Sequence, residues 1–263
     1  MSESASVQVF PPVGTPEFWA EYMALYDAGV ATLQPYQELL GEIERRLRDF
    51  SPWLMTVVDA GCGTGNLSAQ LAESPRVSRL IAIDRNEQAL AIARGKLGKI
   101  SRRTHLDYTV YAANLDEDWT RHPREIRQQS FGVDAVVCVN VLYTLAAPDA
   151  FIRKASSVLR EGGCLVLSNP YIAEPERILR AHERWLAERA NSEERQEDAA
   201  RAPTRKRILD ANRLIAAASQ RHEQQFLTPE VLHDLLGRHR LRVVHTNRQA
   251  YAGVNVTITA IRE

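Results

Sequence analysis

The sequence predicts an α/β fold built on a seven-stranded, mostly parallel sheet. Three observations carry that expectation. After Ser51-Pro52, short apolar runs alternate with amphipathic stretches, the pattern of parallel strands joined by crossover helices. One run, Thr56–Ala60, empties into three glycines at every second position and then into a helix. Two further alternating segments close the chain and raise the strand count from five to seven.

In chain order, a loose arm ending in Phe10-Pro-Pro precedes a helix opened by Thr15-Pro16-Glu17. A threonine cap, a proline in the first turn and an acid beside it fit a helix N-terminus, and Gly29 fits its end. A second helix, about Pro35 to Asp49, gathers Tyr36, Leu39, Leu40, Ile43 and Leu47 on one face. The strands then read as Thr56–Ala60, Leu80–Asp84, Tyr108–Ala112, Asp134–Asn140 and Gly163–Ser168. Asn66–Ala72, Glu87–Leu97 and Pro148–Leu159 are the helices between them, and Asn114–Ser130 reads as a polar loop. Between Pro170 and Phe226 two long helices are expected, with stripes at Ile178, His182, Trp185 and at Ile208, Ala211, Ile215, Ala218. Thr228-Pro229-Glu230 opens a last helix, and Arg240–His245 and Gly253–Ile261 read as the closing strands. The expected organisation is an N-terminal helical cap over residues 1–50, a core over 51–170 and 226–263, and a helical lid inserted at 171–225.

Composition removes several classes of function. The formal charge is +0, so no global positive field draws the chain to nucleic acid or an anionic membrane. Cys62, Cys138 and Cys164 cannot build a disulfide framework. The N-terminus has neither a basic head nor an apolar core of a signal peptide, and the most apolar run, Val133 to Ala147, is too short to span a bilayer. A cytoplasmic monomer or homodimer is expected, with no nucleic-acid or membrane partner.

The segment Val57-Val58-Asp59-Ala60-Gly61-Cys62-Gly63-Thr64-Gly65-Asn66 carries the most chemical information. A side chain at any of the three glycines would fill the ligand's space or forbid the dihedrals. Free amides at the following helix start suit an anionic group. The dinucleotide fingerprint G-x-G-x-x-G would require a third glycine at position 66, which is Asn. An acid two residues before Gly61 sits badly beside a pyrophosphate but accepts hydrogen bonds from an ammonium, which favours an amino-acid ligand. A second acid, Asp84, ends the next strand, where α/β sites place a carboxylate for ribose hydroxyls.

Residues 57–65 match, letter for letter, the first motif of class I S-adenosylmethionine-dependent methyltransferases, and the chain resembles that family over most of 53–170 and more weakly over 226–263. The resemblance implies a Rossmann-like sheet with its last strand reversed and S-adenosylmethionine as cofactor. It points to the small-molecule, quinone-type branch. By that likeness Asp59 and the loop Gly61, Cys62, Gly63, Gly65 face the methionine end, and Asn114 and Leu115 the adenine. Family members often carry Asp where Asn114 stands. Arg85 and Asn140 complete the expected cofactor set.

Candidates for the chemistry are fewer. The tail Val141-Leu142-Tyr143-Thr144-Leu145 resembles the family's "V-L-H-H-L" segment, with Tyr143 at the first histidine. A phenol is a poor general base. Tyr143 and His222 are the catalytic candidates. Tyr22, Tyr26, Tyr143, Tyr171 and His182 are the expected substrate pocket, with Arg180, Arg184, Arg205 and Arg207 available to clamp a carboxylate. Ser168-Asn169-Pro170-Tyr171 follows the fifth strand and lacks the second proline of the N-P-P-[YFW] loop, so that comparison is rejected. No metal-ligand spacing and no G-x-S-x-G elbow are present. The expected activity is methyl transfer to O, N or C of a small metabolite. The alternatives are an RNA or protein methyltransferase and a non-catalytic cofactor-binding module.

Overall fold

The computed structural model describes residues 10–51, 53, 55–121, 126 and 132–263. Two helices lead, α1 (Pro16–Gly29) and α2 (Gln34–Phe50). Strands and helices then alternate as β1 (Met55–Ala60), α3 (Asn66–Glu73), β2 (Val77–Asp84), α4 (Glu87–Thr104), β3 (Asp107–Ala112), β4 (Val133–Val139), α5 (Pro148–Val158) and β5 (Leu159–Pro170). Next come α6 (Glu176–Glu188), α7 (Ser192–Gln220), α8 (Pro229–Arg238), β6 (Leu241–Asn247) and β7 (Asn255–Arg262). The seven strands form one sheet in the order β3-β2-β1-β4-β5-β7-β6. β7 pairs antiparallel with β5 and with β6, and the first five strands run parallel. The reversed last strand is therefore as expected.

Alternation within strands divides the core in two. Val57, Leu80, Ala82, Ala135 and Val137 join the cores of α1 to α4, α6 and α7, whereas Val58, Ile81, Ile83, Val136 and Cys138 join α5 and α8. In β7 the period of two separates two chemistries rather than core from solvent. Val256, Ile258 and Ala260 are buried on one face, and Asn255, Thr257 and Thr259 are buried on the other.

Several local expectations hold. The hydroxyl of Thr15 accepts from the Phe18 amide at 3.2 Å, and that of Thr228 from Val231 at 3.4 Å, so both caps form. Asn191 and Glu194 add a reciprocal capping box at the start of α7. Gly29 differs from expectation. It is the last helical residue rather than the cap, and a Cβ there would lie 2.6 Å from Ile208 Cγ1 of α7. Its bareness serves close packing of two helices. α4 runs to Thr104, beyond the Leu97 expected, because Ile100 continues the buried stripe. In the segment read as a loop, Trp119–Arg121 forms a 3₁₀ turn and Trp119 stacks on Phe151 at 5.9 Å. The remainder of that segment, and the N-terminal arm to residue 9, fall largely outside the described residues.

Candidate active site

The glycine loop leaves β1 and wraps over the end of β2. The amides of Gly61 and Cys62 both donate to the Ile83 carbonyl, at 2.7 and 2.9 Å. Gly61, Gly63 and Gly65 have φ of +82°, +52° and +78°, the left-handed region that L side chains rarely occupy. Steric demands differ along the loop. A Cβ at Gly61 would lie 2.2 Å from Val141 Cγ2, and one at Gly65 would lie 2.8 Å from Ala93 Cβ on α4. At Gly63 the nearest atom is the Met23 sulfur at 3.4 Å. Packing of the chain against itself thus demands two of the glycines, and Gly63 leaves its Cβ direction comparatively open.

Two aspartates flank this bend. Asp59 is 2% exposed, and its Oδ2 accepts from the Ser68 hydroxyl at 2.5 Å. Burial raises its carboxyl to about 7, the charge of Asp84 adding to the effect and the Ser68 hydrogen bond opposing it. At the end of β2, Asp84 accepts from the Gly63 amide at 2.8 Å through one oxygen and from the Asn86 amide at 2.9 Å through the other. Burial pushes it above the usual carboxylate range against those two amides. Asn86, not Asp84, caps α4, accepting from the Ala89 amide at 3.1 Å. The Asp84 carboxylate is thereby fixed in orientation with lone pairs to spare.

The bend opens into a cleft of about 1430 Å³, open solvent at its mouth included, at the C-terminal ends of β1, β2 and β4. Doubly wound sheets bind ligands at this edge. Helices α1, α2, α6 and α7 contribute its far wall through Trp19, Tyr22, Tyr26, Tyr36, Ile178 and Asn212. Asp27 of α1 ties that wall to the glycine loop. It accepts from Thr64 at 2.6 Å and Asn66 at 3.1 Å, and pairs with Lys96 of α4 at 2.7 Å. Burial raises its carboxyl, but Lys96, Thr64 and Asn66 outweigh that and hold it below the usual range.

A family profile described as a methyltransferase domain matches residues 54–229. The chain belongs to the class I S-adenosylmethionine-dependent methyltransferases. Among curated relatives, the ubiquinone biosynthesis O-methyltransferase of Idiomarina loihiensis is 30% identical over 112 residues, covering 43% of this chain and 41% of that protein. The enzyme of the same name from Xanthomonas axonopodis pv. citri is 33% identical over the same shares. The matched stretch thus spans about two fifths of those relatives. Of solved structures, magnesium protoporphyrin IX methyltransferase from Synechocystis superposes with a TM-score of 0.59 at 15% identity, covering 93% of this chain and 94% of that one. N-methyltransferase NodS from Bradyrhizobium japonicum gives 0.57 at 16% identity, covering 93% and 96%. These two likenesses establish the fold.

Within this methyltransferase fold, the cleft is lined by Asp59, Gly61, Cys62, Gly63, Asp84, Arg85, Asn114, Leu115 and Asn140, all expected from the sequence. Gly65 lies one step back, at the start of α3, where it packs on α4. Asn114 closes an Asx turn, its Oδ1 accepting from the Asp116 amide at 3.1 Å, so the acceptor oxygen expected for adenine is already engaged. Asn140 has φ +57°, and its Oδ1 accepts from Asn255 at 2.6 Å. Tyr22, Tyr26 and Tyr143 line the deeper part.

The remaining candidates lie elsewhere. Tyr171 turns away, its hydroxyl donating to the Arg248 carbonyl at 3.0 Å. His182 is a strut among α2, α6 and α7: its Nδ1 accepts from the Gln34 amide at 3.1 Å and its Nε2 sits 2.9 Å from Asp198. His222 is exposed just past α7, outside the cleft lining. Of the four arginines, Arg205 pairs with Asp198 at 2.6 Å, Arg207 with Glu21 while lying over the Phe10 ring, and Arg180 and Arg184 are exposed. None lines the cleft.

Sequence reasoning misses much of the aromatic wall. Tyr36 is visible there only as one apolar position in a helix stripe, and Trp19, Phe226 and Tyr251 carry no signal of a site. Rings follow one another at centroid distances of 6.4 Å (Tyr143–Trp19), 5.7 Å (Trp19–Tyr22, Tyr22–Tyr26 and Tyr26–Tyr36) and 6.2 Å (Tyr36–Tyr251), with Phe226 5.5 Å from Tyr143. Tyr22, Tyr143 and Tyr251 also interact electrostatically. Burial raises every one of these phenols, Tyr36 to about 12.

Proposed function

We propose that this chain moves a methyl group from S-adenosylmethionine to a small-molecule acceptor held inside the cleft. The observation that carries the reading is continuity: one cavity joins the aspartate-flanked glycine bend to an aromatic chamber covered by α1, α2, α6 and α7. The residues fit the cofactor. Asp59 is a buried carboxylate with no cation beside it among the described residues, suited to the ammonium of a methionine moiety. Asp84, braced by two amides, suits ribose hydroxyls, and Asn114 and Leu115 stand where the adenine would lie. Cys62, Arg85 and Asn140 complete the lining.

When bound, the cofactor supplies an electrophilic methyl group on sulfur. The protein's share is then alignment of the acceptor and exclusion of water. Tyr143, kept protonated by burial, acts as a wall and hydrogen-bonding group rather than a base. The helical cover favours a compact acceptor over a duplex or folded protein, because α1, α2, α6 and α7 all contribute side chains to the cleft wall. Three buried free cysteines suit a reducing compartment such as the cytoplasm.

The test is labelled-methyl transfer into a metabolite extract, with products identified by mass spectrometry. A labelled compound of low molecular mass is the expected outcome. Label appearing only in protein or RNA would move the activity to a macromolecular acceptor.

A further inference from the structure

Only three charged side chains line the cleft among the described residues, Asp59, Asp84 and Arg85, and all three belong to the glycine-loop end. Among the described residues, no histidine, lysine, arginine or carboxylate lines the chamber beyond. It is walled by Trp19, Tyr22, Tyr26, Tyr36, Tyr143 and Tyr251, with Phe226 behind Tyr143. Tyr251 reaches this ring from a strained turn. Tyr251 and Ala252 have φ of +52° and +58° without being glycine, a conformation that persists only where the surroundings impose it.

We propose that the acceptor is an uncharged, weakly basic nitrogen compound, an arylamine or a ring nitrogen, methylated on that nitrogen inside the aromatic cage. The proposal rests on the methyl-transfer reading above and names its substrate class. An alcohol or a phenol must shed a proton to attack, and the chamber offers no base to take it. A carboxylate or phenolate would bring a negative charge into an apolar space with no cation to meet it. A strongly basic alkylamine enters as an ammonium, without a lone pair. A weakly basic nitrogen escapes all three difficulties.

The electrons balance without help from the protein. The nitrogen lone pair forms the new N–C bond, the S–C bond breaks, and its pair remains on sulfur as a neutral thioether. Positive charge thereby passes to nitrogen. An arylamine then returns a proton to water on release, and a ring nitrogen leaves as a cation. Ring faces stabilise charge at the place where it arrives, and such cages are a recurring means of binding methylated cations.

The experiment titrates the complex with S-adenosylhomocysteine against N-methylpyridinium and against toluene, its uncharged near-isostere, by calorimetry. The cation is expected to bind about 10-fold more tightly, Tyr251→Phe to keep that preference and Tyr251→Leu to reduce it about 3-fold or more. Equal binding, a preference for toluene, or no binding of either overturns the proposal. The S-adenosylhomocysteine affinity of each sample reports folding. It also separates the two ideas: normal affinity without cation preference sinks the nitrogen acceptor alone, whereas no affinity sinks the methyl-transfer reading with it. In the extract assay, label found on oxygen or carbon overturns the proposal as well.

Discussion

The two ends of the cleft are built by different means. At the glycine end, one continuous segment, residues 57–66, and one strand terminus, Asp84, supply nearly everything, and backbone amides hold the side chains. At the aromatic end, rings arrive from α1, α2, the turn after β4, the segment after α7 and the turn before β7, and they brace one another. The first end depends on backbone geometry and tolerates no added atom at Gly61 or Gly65. The second depends on packing across nearly the whole length of the chain, so single changes there should alter acceptor choice before they alter the fold.

The sharpest break of this contrast is Gly61→Ala. A Cβ 2.2 Å from Val141 Cγ2 at φ +82° combines overpacking with a left-handed penalty, together about 2–5 kcal/mol. Thermal denaturation should show the loss, and cofactor binding should become undetectable. Next comes Asp84→Ala, which should weaken S-adenosylmethionine binding about 10- to 100-fold, since each charge-assisted hydrogen bond is worth roughly 1.5–3 kcal/mol. Unchanged affinity by calorimetry would remove Asp84 from the ribose site.

Asp59 gives a pH signature. Its carboxyl is raised to about 7 by burial, so the folded protein holds a proton that the unfolded chain releases near 4. That contribution to stability is complete below the unfolded value and is lost as pH rises through about 7. Binding an ammonium requires the ionised form, so cofactor affinity should rise about 20- to 30-fold from pH 5.5 to 7.5. Asp59→Asn should flatten that rise and make the free protein more stable at pH 8. A smaller effect is expected where the two ends are tied together. Asp27→Ala removes the link from α1 to Thr64, Asn66 and Lys96, and should weaken cofactor binding about 3- to 10-fold with little change in Tm.

The same contrast explains what can be read from sequence. Strands β1 to β5, the caps at Thr15 and Thr228 and each of the two acids at its own strand end are local patterns, contained in windows of about a dozen residues. Asp59, Asp84 and the glycines are therefore legible in the amino-acid order alone. The cage is legible only in part. Tyr22, Tyr26 and Tyr143 are picked out by the segments they sit in, but Trp19, Tyr36 and Tyr251 join them only through the tertiary fold, and a tyrosine in an apolar stripe looks like any core residue. His182 and Tyr171 show the converse error. Each is chemically apt, yet His182 is satisfied between Gln34 and Asp198 and Tyr171 by the Arg248 carbonyl, roles that depend on partners far away in sequence. Arg205 and Arg207 likewise find acids on the helices around them and leave the chamber without a cation.

The most direct measurement is a calorimetric titration of the purified protein with S-adenosylmethionine at pH 7.5. A single saturable site that is weakened by Asp84→Ala is the result that the glycine bend and its two carboxylates require. A flat trace at millimolar ligand, from protein whose melting curve shows it folded, would contradict the account at its root.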